Sequence, residues 1–168
     1  MSEFNFKTKP YDHQLKALRS AWDKKYFAYF MEMGTGKSKV LIDEMAAYYL
    51  RGKITSALII APKGVYRNWE RGEIPTHLSD DVPYIVAAWR APSEMNKDDK
   101  KKLGDILEPN GKLRILLMNI EALSTAKGTK FATQFLHTSN TLMAIDESTT
   151  IKTHTAQRTK NVLKLSNL

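Results

Sequence analysis

The sequence predicts an α/β domain of three layers, with a central, mainly parallel sheet flanked by helices on both faces. Three observations predict it. Short apolar, β-branched or aromatic runs alternate with longer segments of helical period, the pattern of βα units. One of these runs leads into the glycine-rich stretch Met33-Gly34-Thr35-Gly36-Lys37-Ser38, and another, Leu142-Met143-Ala144-Ile145, ends in the acidic pair Asp146-Glu147.

In chain order, Leu15, Leu18 and Trp22 recur at helical spacing and predict an amino-terminal helix. Strands are predicted at Tyr26 to Met31, Ser56 to Ile60, Tyr84 to Ala88, Leu113 to Met118 and Leu142 to Ile145. Each is short and apolar on both faces, as a strand covered by helices on both sides requires. Helices are predicted at Leu41 to Leu50, Val65 to Arg71, Asp98 to Leu107, Lys130 to His137 and Ala156 to Leu165. Ala91 to Lys102 carries Pro92 and a dense charge cluster, so an exposed excursion is expected there.

The chain has 168 residues, the size of one domain, which can bury about two thirds of its unfolded surface. With 42% hydrophobic and 26% charged residues it is ordinary for a folded protein. Cysteine is absent, which excludes disulfides and thiolate metal sites, and the four histidines are scattered, so no structural metal is expected. No apolar run approaches the roughly 18 residues that span a bilayer, and the amino terminus lacks a secretory core. A soluble, cytoplasmic protein without membrane contact is expected. The net charge of +8 and a pI near 9.6 favour polyanionic partners.

Two motifs carry chemistry. In Gly34-Thr35-Gly36-Lys37-Ser38 the glycines let the backbone turn so that successive amides face phosphate oxygens, and the following helix adds its positive end. Lys37 is a mobile charge for the β and γ phosphates, and the Ser38 hydroxyl is a magnesium ligand. The strict pattern has a glycine where Met31 stands. At the end of the fifth predicted strand, Asp146 is placed to hold magnesium through its water shell, and Glu147 to orient or deprotonate a water. ATP with Mg2+ is the implied ligand, and in a parallel sheet both motifs emerge at the carboxyl edge.

These residues resemble the first RecA-like motor domain of superfamily two helicases and translocases, a three-layer P-loop NTPase fold, over nearly the whole chain. The subtype is similar to the Swi/Snf-like branch, and the compact form to helicases of bacterial viruses and prophages. Met33 to Ser38 is similar to that branch's motif I. Pro10-Tyr11-Asp12-His13-Gln14 is similar to the adenine-reading motif, which implies that Gln14 contacts the base. Ile59 to Trp69, followed by Glu70, resembles motif Ia, and Met118 to Ser124 resembles motif Ib. Both imply contacts with the nucleic-acid backbone, assigned to Lys63, Arg67 and Asn119, whereas Trp69 is expected to pack against the sheet. Motif II reads Asp146-Glu147-Ser148-Thr149, with threonine in the fourth place, and Lys152, assigned with the nucleic-acid contacts, follows where the Swi/Snf-like branch commonly has a lysine.

The resemblance implies a DNA-dependent ATPase, with DNA favoured over RNA as the track. It also implies a second motor lobe as partner. The chain ends before the strand that would carry motif III and lacks that lobe's arginines, each worth about a thousandfold or more in turnover. Weak hydrolysis by these 168 residues alone is therefore expected. Two other readings stay open: a nucleotide-gated binding module or subunit completed in trans, and a P-loop small-molecule kinase. No lid arginines or acceptor pocket are signalled for the kinase.

Overall fold

The computed structural model describes residues 4–32, 34–146 and 157–167. Met33, Glu147 and Lys152, each assigned a role from the sequence, lie outside the described residues, as do Ser148 and Thr149. The described strands are β1 (Ser56–Ala61), β2 (Tyr84–Ala88), β3 (Leu113–Asn119) and β4 (Thr141–Ile145), all parallel, in the order β2-β3-β1-β4. Helices α1 (Asp12–Ala21) and α2 (Lys37–Leu50) precede the sheet. Between β1 and β2 come α3 (Tyr66–Asn68), a π-helical turn over Trp69–Glu73, and α4 (Ile74–His77). The chain then runs through α5 (Lys97–Asp105) to β3, through α6 (Ala126–His137) to β4, and on to α7 (Gln157–Leu165).

Strand alternation builds the three layers. Ala57, Ile59 and Ala61 of β1 turn to one face with Ile115 and Leu117 of β3, packing on Ile42, Met45 and Ala46 of α2, on Trp69 and on Ile74. The intervening Leu58, Ile60, Leu116 and Met118 turn to the other, against Leu103 of α5, Ala132 and Phe135 of α6, and Val162 and Leu165 of α7. Both faces of β1 and β3 are dry, which is why their sequences are mostly apolar on both. The one charged side chain within them, Arg114, is buried at the amino end of β3. There it donates to the Ile106 carbonyl at 3.0 Å and to the Ser139 hydroxyl at 2.6 Å, which satisfies it away from solvent.

Tyr26 to Met31, predicted as a strand, is not one. A strand exists only through a neighbour's backbone. Both sides of β1 are taken by β3 and β4, and no strand among the described residues pairs with the outer side of β4. The aromatic run is instead irregular. Phe30 is almost fully exposed, while the Tyr29 hydroxyl turns inward to donate to Glu44 at 2.8 Å. Other departures concern boundaries. Helix α2 starts at Lys37, ahead of the predicted Leu41, because the glycine loop delivers the chain directly into helical geometry. Helix α6 starts at Ala126, where the Thr125 hydroxyl accepts from the Gly128 amide at 3.0 Å. Gly128 also has no room for a side chain, since a Cβ there would stand 2.2 Å from the Ala122 carbonyl oxygen. The expected excursion after β2 is ordered, with a 3-10 turn over Pro92–Glu94 and α5 capped by the Asn96 side chain, which accepts from the Asp99 amide at 2.8 Å.

Register determines what meets at the carboxyl edge. Ile60 of β1 is level with Met118 of β3 and Ile145 of β4. The segments beyond the strands, beginning at Pro62, Ile120 and Asp146, therefore leave the sheet side by side. The chain after β1 passes to the α2 face and the chain after β3 to the α6 face, the kind of divergence beside which open α/β sheets take their ligands.

Candidate nucleotide-binding site

Gly34 and Gly36 have φ of +77° and +79°, backbone that L side chains rarely adopt, and they turn the chain into α2. Gly36 is the N-cap of this 14-residue helix, no side chain caps its amides, and no acidic residue occupies its first turn. An uncapped helix start with an ammonium beside it fits an anion. Lys37 Nζ donates to the carbonyl oxygens of Met31 at 3.0 Å and Glu32 at 3.2 Å, so the lysine folds back over the loop. Ser38 lies in the same turn. A cleft of about 250 Å3 lies beside the loop, lined by His13, Met31, Glu32 and Thr35.

Helix α1 braces this loop. Gln14, Leu18 and Ala21 form its buried stripe, and the Gln14 amide is engaged at both ends. Its Oε1 accepts from the Tyr11 amide at 2.9 Å, and its Nε2 donates to the Thr35 carbonyl at 3.1 Å. The His13 ring nitrogen Nε2 bonds the same carbonyl at 3.0 Å, and the exposed Tyr11 ring stacks on His13 with centroids 5.7 Å apart. Gln14, expected to contact a base, thus holds the loop, and His13 of the stacked pair beside it lines the cleft. The helical spacing of α1 is visible in the sequence, but the inward turn of a polar glutamine is not.

Helix α2 buries charge immediately behind the loop. Lys39 pairs with Asp43 at 2.6 Å, both side chains being shielded from solvent, and Asp43 Oδ1 has no hydrogen-bond partner among the described residues. Burial pushes the Asp43 carboxyl up to about 6, against the opposing pull of Lys39. Burial also raises Glu44, against the hydrogen bonds it accepts from Tyr29 and Tyr48.

At the sheet edge, the Asp146 amide donates to the Ile60 carbonyl at 2.8 Å, extending the β4 ladder by one residue. Its carboxylate oxygen Oδ2 accepts from the Trp69 indole Nε1 at 3.1 Å. Trp69 is 1% exposed and packs in the α2-side core, so the residue expected to lie against the sheet also carries a polar link to the acidic pair. No sequence signal joins these residues. The Ser38 hydroxyl and Asp146 carboxylate are hard oxygen donors of the type magnesium takes. Lys63 and Arg67 are exposed, the former 3.9 Å from Glu94. Asn119 spends its Oδ1 on the Ala122 amide at 2.6 Å, shaping the turn after β3. Beyond that turn a wider cleft of about 720 Å3 opens, lined by Ser124, Thr125, Thr129, Lys130, Thr133 and neighbouring residues.

A parallel sheet between two helical layers, an uncapped glycine-lysine loop at the start of α2 and an acidic residue at the carboxyl end of β4 define a P-loop nucleotide-binding domain of the RecA-like kind. The family model for the type III restriction enzyme res subunit matches residues 7–167, and the chain belongs to that family. It is accordingly a superfamily two, helicase-like ATPase motor domain. No curated protein matches the chain. No helix among the described residues is long and apolar enough to cross a membrane.

Proposed function

We propose that this chain is the ATP-binding lobe of a DNA-dependent ATPase that couples hydrolysis to helicase or translocase movement, of the Swi/Snf-like branch. The observation that carries this reading is the loop itself: α2 opens uncapped at Gly36, with Lys37 poised over the loop and α1 bracing it through Thr35. In this reading the Gly34 to Ser38 backbone receives the phosphates, and Lys37 exchanges its two carbonyl contacts for the β and γ phosphate oxygens. Ser38 and Asp146 hold magnesium, which when bound neutralises charge on the phosphates. Glu147 orients the attacking water. Tyr11 and His13 form a stacking surface for the adenine, with Gln14 behind them.

The net charge of +8 supports a polyanionic track. Lys63 and Arg67 after β1, and the hydroxyl-lined cleft with Lys130 after β3, offer phosphate contacts to such a track. A second lobe completes the site with its own arginines, so the 168 residues alone turn over slowly.

The test is a titration of magnesium-ATP against wild type and Lys37→Ala, repeated with single- and double-stranded DNA at two salt concentrations. Nucleotide binding that the substitution abolishes, together with DNA binding that weakens with salt, is expected. Equal nucleotide affinity of the two proteins rejects the phosphate-loop assignment, and brisk DNA-stimulated turnover by the 168 residues rejects the need for a second lobe.

A further inference from the structure

Asp146 is held at two points. Its amide is part of the β4 ladder, through Ile60, and one carboxylate oxygen is held by Trp69. The indole comes from a helical segment with unusual geometry. The Trp69 amide donates to the Val65 carbonyl at 3.1 Å, but its own carbonyl accepts from the Ile74 amide five residues on, the bond that closes the π-turn Trp69–Glu73. Such a turn inserts a residue and rotates the rest of the helix, and it is found frequently at functional sites. Neighbouring groups immobilise it: Glu70 pairs with Arg90 at 3.3 Å and with Lys102 at 3.9 Å, and Arg90 reaches Asp99 at 3.7 Å.

A buried indole has one polar atom and needs an acceptor for it. Core packing alone would be served by any carbonyl, and Trp69 takes the carboxylate at the end of β4. A neutral N–H also differs from a cation in that position. A lysine or arginine would cancel the charge a metal ion needs, whereas the indole directs the carboxylate and leaves its charge intact.

We propose that Trp69 is a positioning residue for the magnesium site: its indole N–H holds Asp146 Oδ2 and leaves Oδ1 as the oxygen presented to the ion. This inference rests on the nucleotide-binding reading proposed for the loop. Arg67, two residues before Trp69 and so on the opposite side of the helix, stays exposed while Trp69 is buried.

The experiment compares ATP affinity in magnesium with ATP affinity in EDTA, for wild type, Trp69→Phe, and a chain in which residue 69 is replaced by benzothienylalanine. The last keeps the shape of tryptophan but puts sulfur in place of the N–H, so it retains the packing that phenylalanine gives up. Outer-shell partners of metal ligands are worth about 10–100-fold in metal affinity. The magnesium-dependent gain in ATP affinity is therefore expected to fall about tenfold or more in both variants. The EDTA affinity stays unchanged, and the benzothienylalanine chain melts with wild type. If that chain keeps the wild-type magnesium gain, or loses magnesium and EDTA affinity in parallel, the positioning role is overturned. A wild type with no magnesium-dependent gain at all rejects the nucleotide-site reading instead.

Discussion

The Gln14 side chain occupies the space that a Cβ on Gly36 would need: a carbon placed there would stand 2.3 Å from Gln14 Nε2. As placed, the Gln14 amide uses the space that the absent side chain of residue 36 leaves, so a side chain there makes it shift. Gly36→Ala meets two obstacles, this approach and a φ of +79°, the latter costing about 1–3 kcal/mol. A lower melting temperature and roughly a tenfold or greater loss of ATP affinity are expected, the affinity because the loop amides move off the phosphates. Adding Gln14→Ala removes the clash but leaves the strained φ, so the double variant should recover part of the melting temperature. A single variant as stable as wild type would show that the two groups do not press on each other.

The Lys39–Asp43 pair predicts a specific pH dependence. The folded carboxyl titrates near 6, above its ordinary 3.8, so the folded chain takes up this proton more readily than the unfolded chain. Stability at this residue therefore rises as pH falls through about 6 towards 4, and that gain is absent above about 7. His77 works the other way, since burial lowers it and the unfolded chain protonates first below its ordinary 6.5. Melting temperatures of wild type and Asp43→Asn, compared from about pH 7 to 5, cancel the histidine. Wild type should gain on the variant as the pH drops, and parallel curves would locate the titration elsewhere.

Lys63 and Arg67 should contribute to DNA binding through charge. Each cation that meets a phosphate adds about 0.9 to the slope of log affinity against log salt for duplex DNA. Lys63 is only loosely engaged by Glu94, at 3.9 Å on the surface, and remains able to turn to a phosphate. Lys63→Ala and Arg67→Ala should each flatten the slope by about that amount, measured by fluorescence anisotropy between about 50 and 200 mM salt. An unchanged slope in both variants would move the track away from the segment after β1.

The glycine loop and the four apolar strands were legible in the sequence because each is a local pattern. Turn chemistry, a period of about two or 3.6, and an apolar run describe a segment without reference to its neighbours. Tyr26 to Met31 has strand composition as good as that of β2, yet it forms no ladder, because pairing depends on which neighbours β1 and β4 already have. Local pattern likewise placed Gln14 just ahead of a helical stripe and Trp69 in the core without saying what their polar atoms would meet. Only the packed molecule decided that. A buried amide or indole must find a partner wherever folding brings one, and for Trp69 that partner lies 77 residues along the chain, at the end of β4.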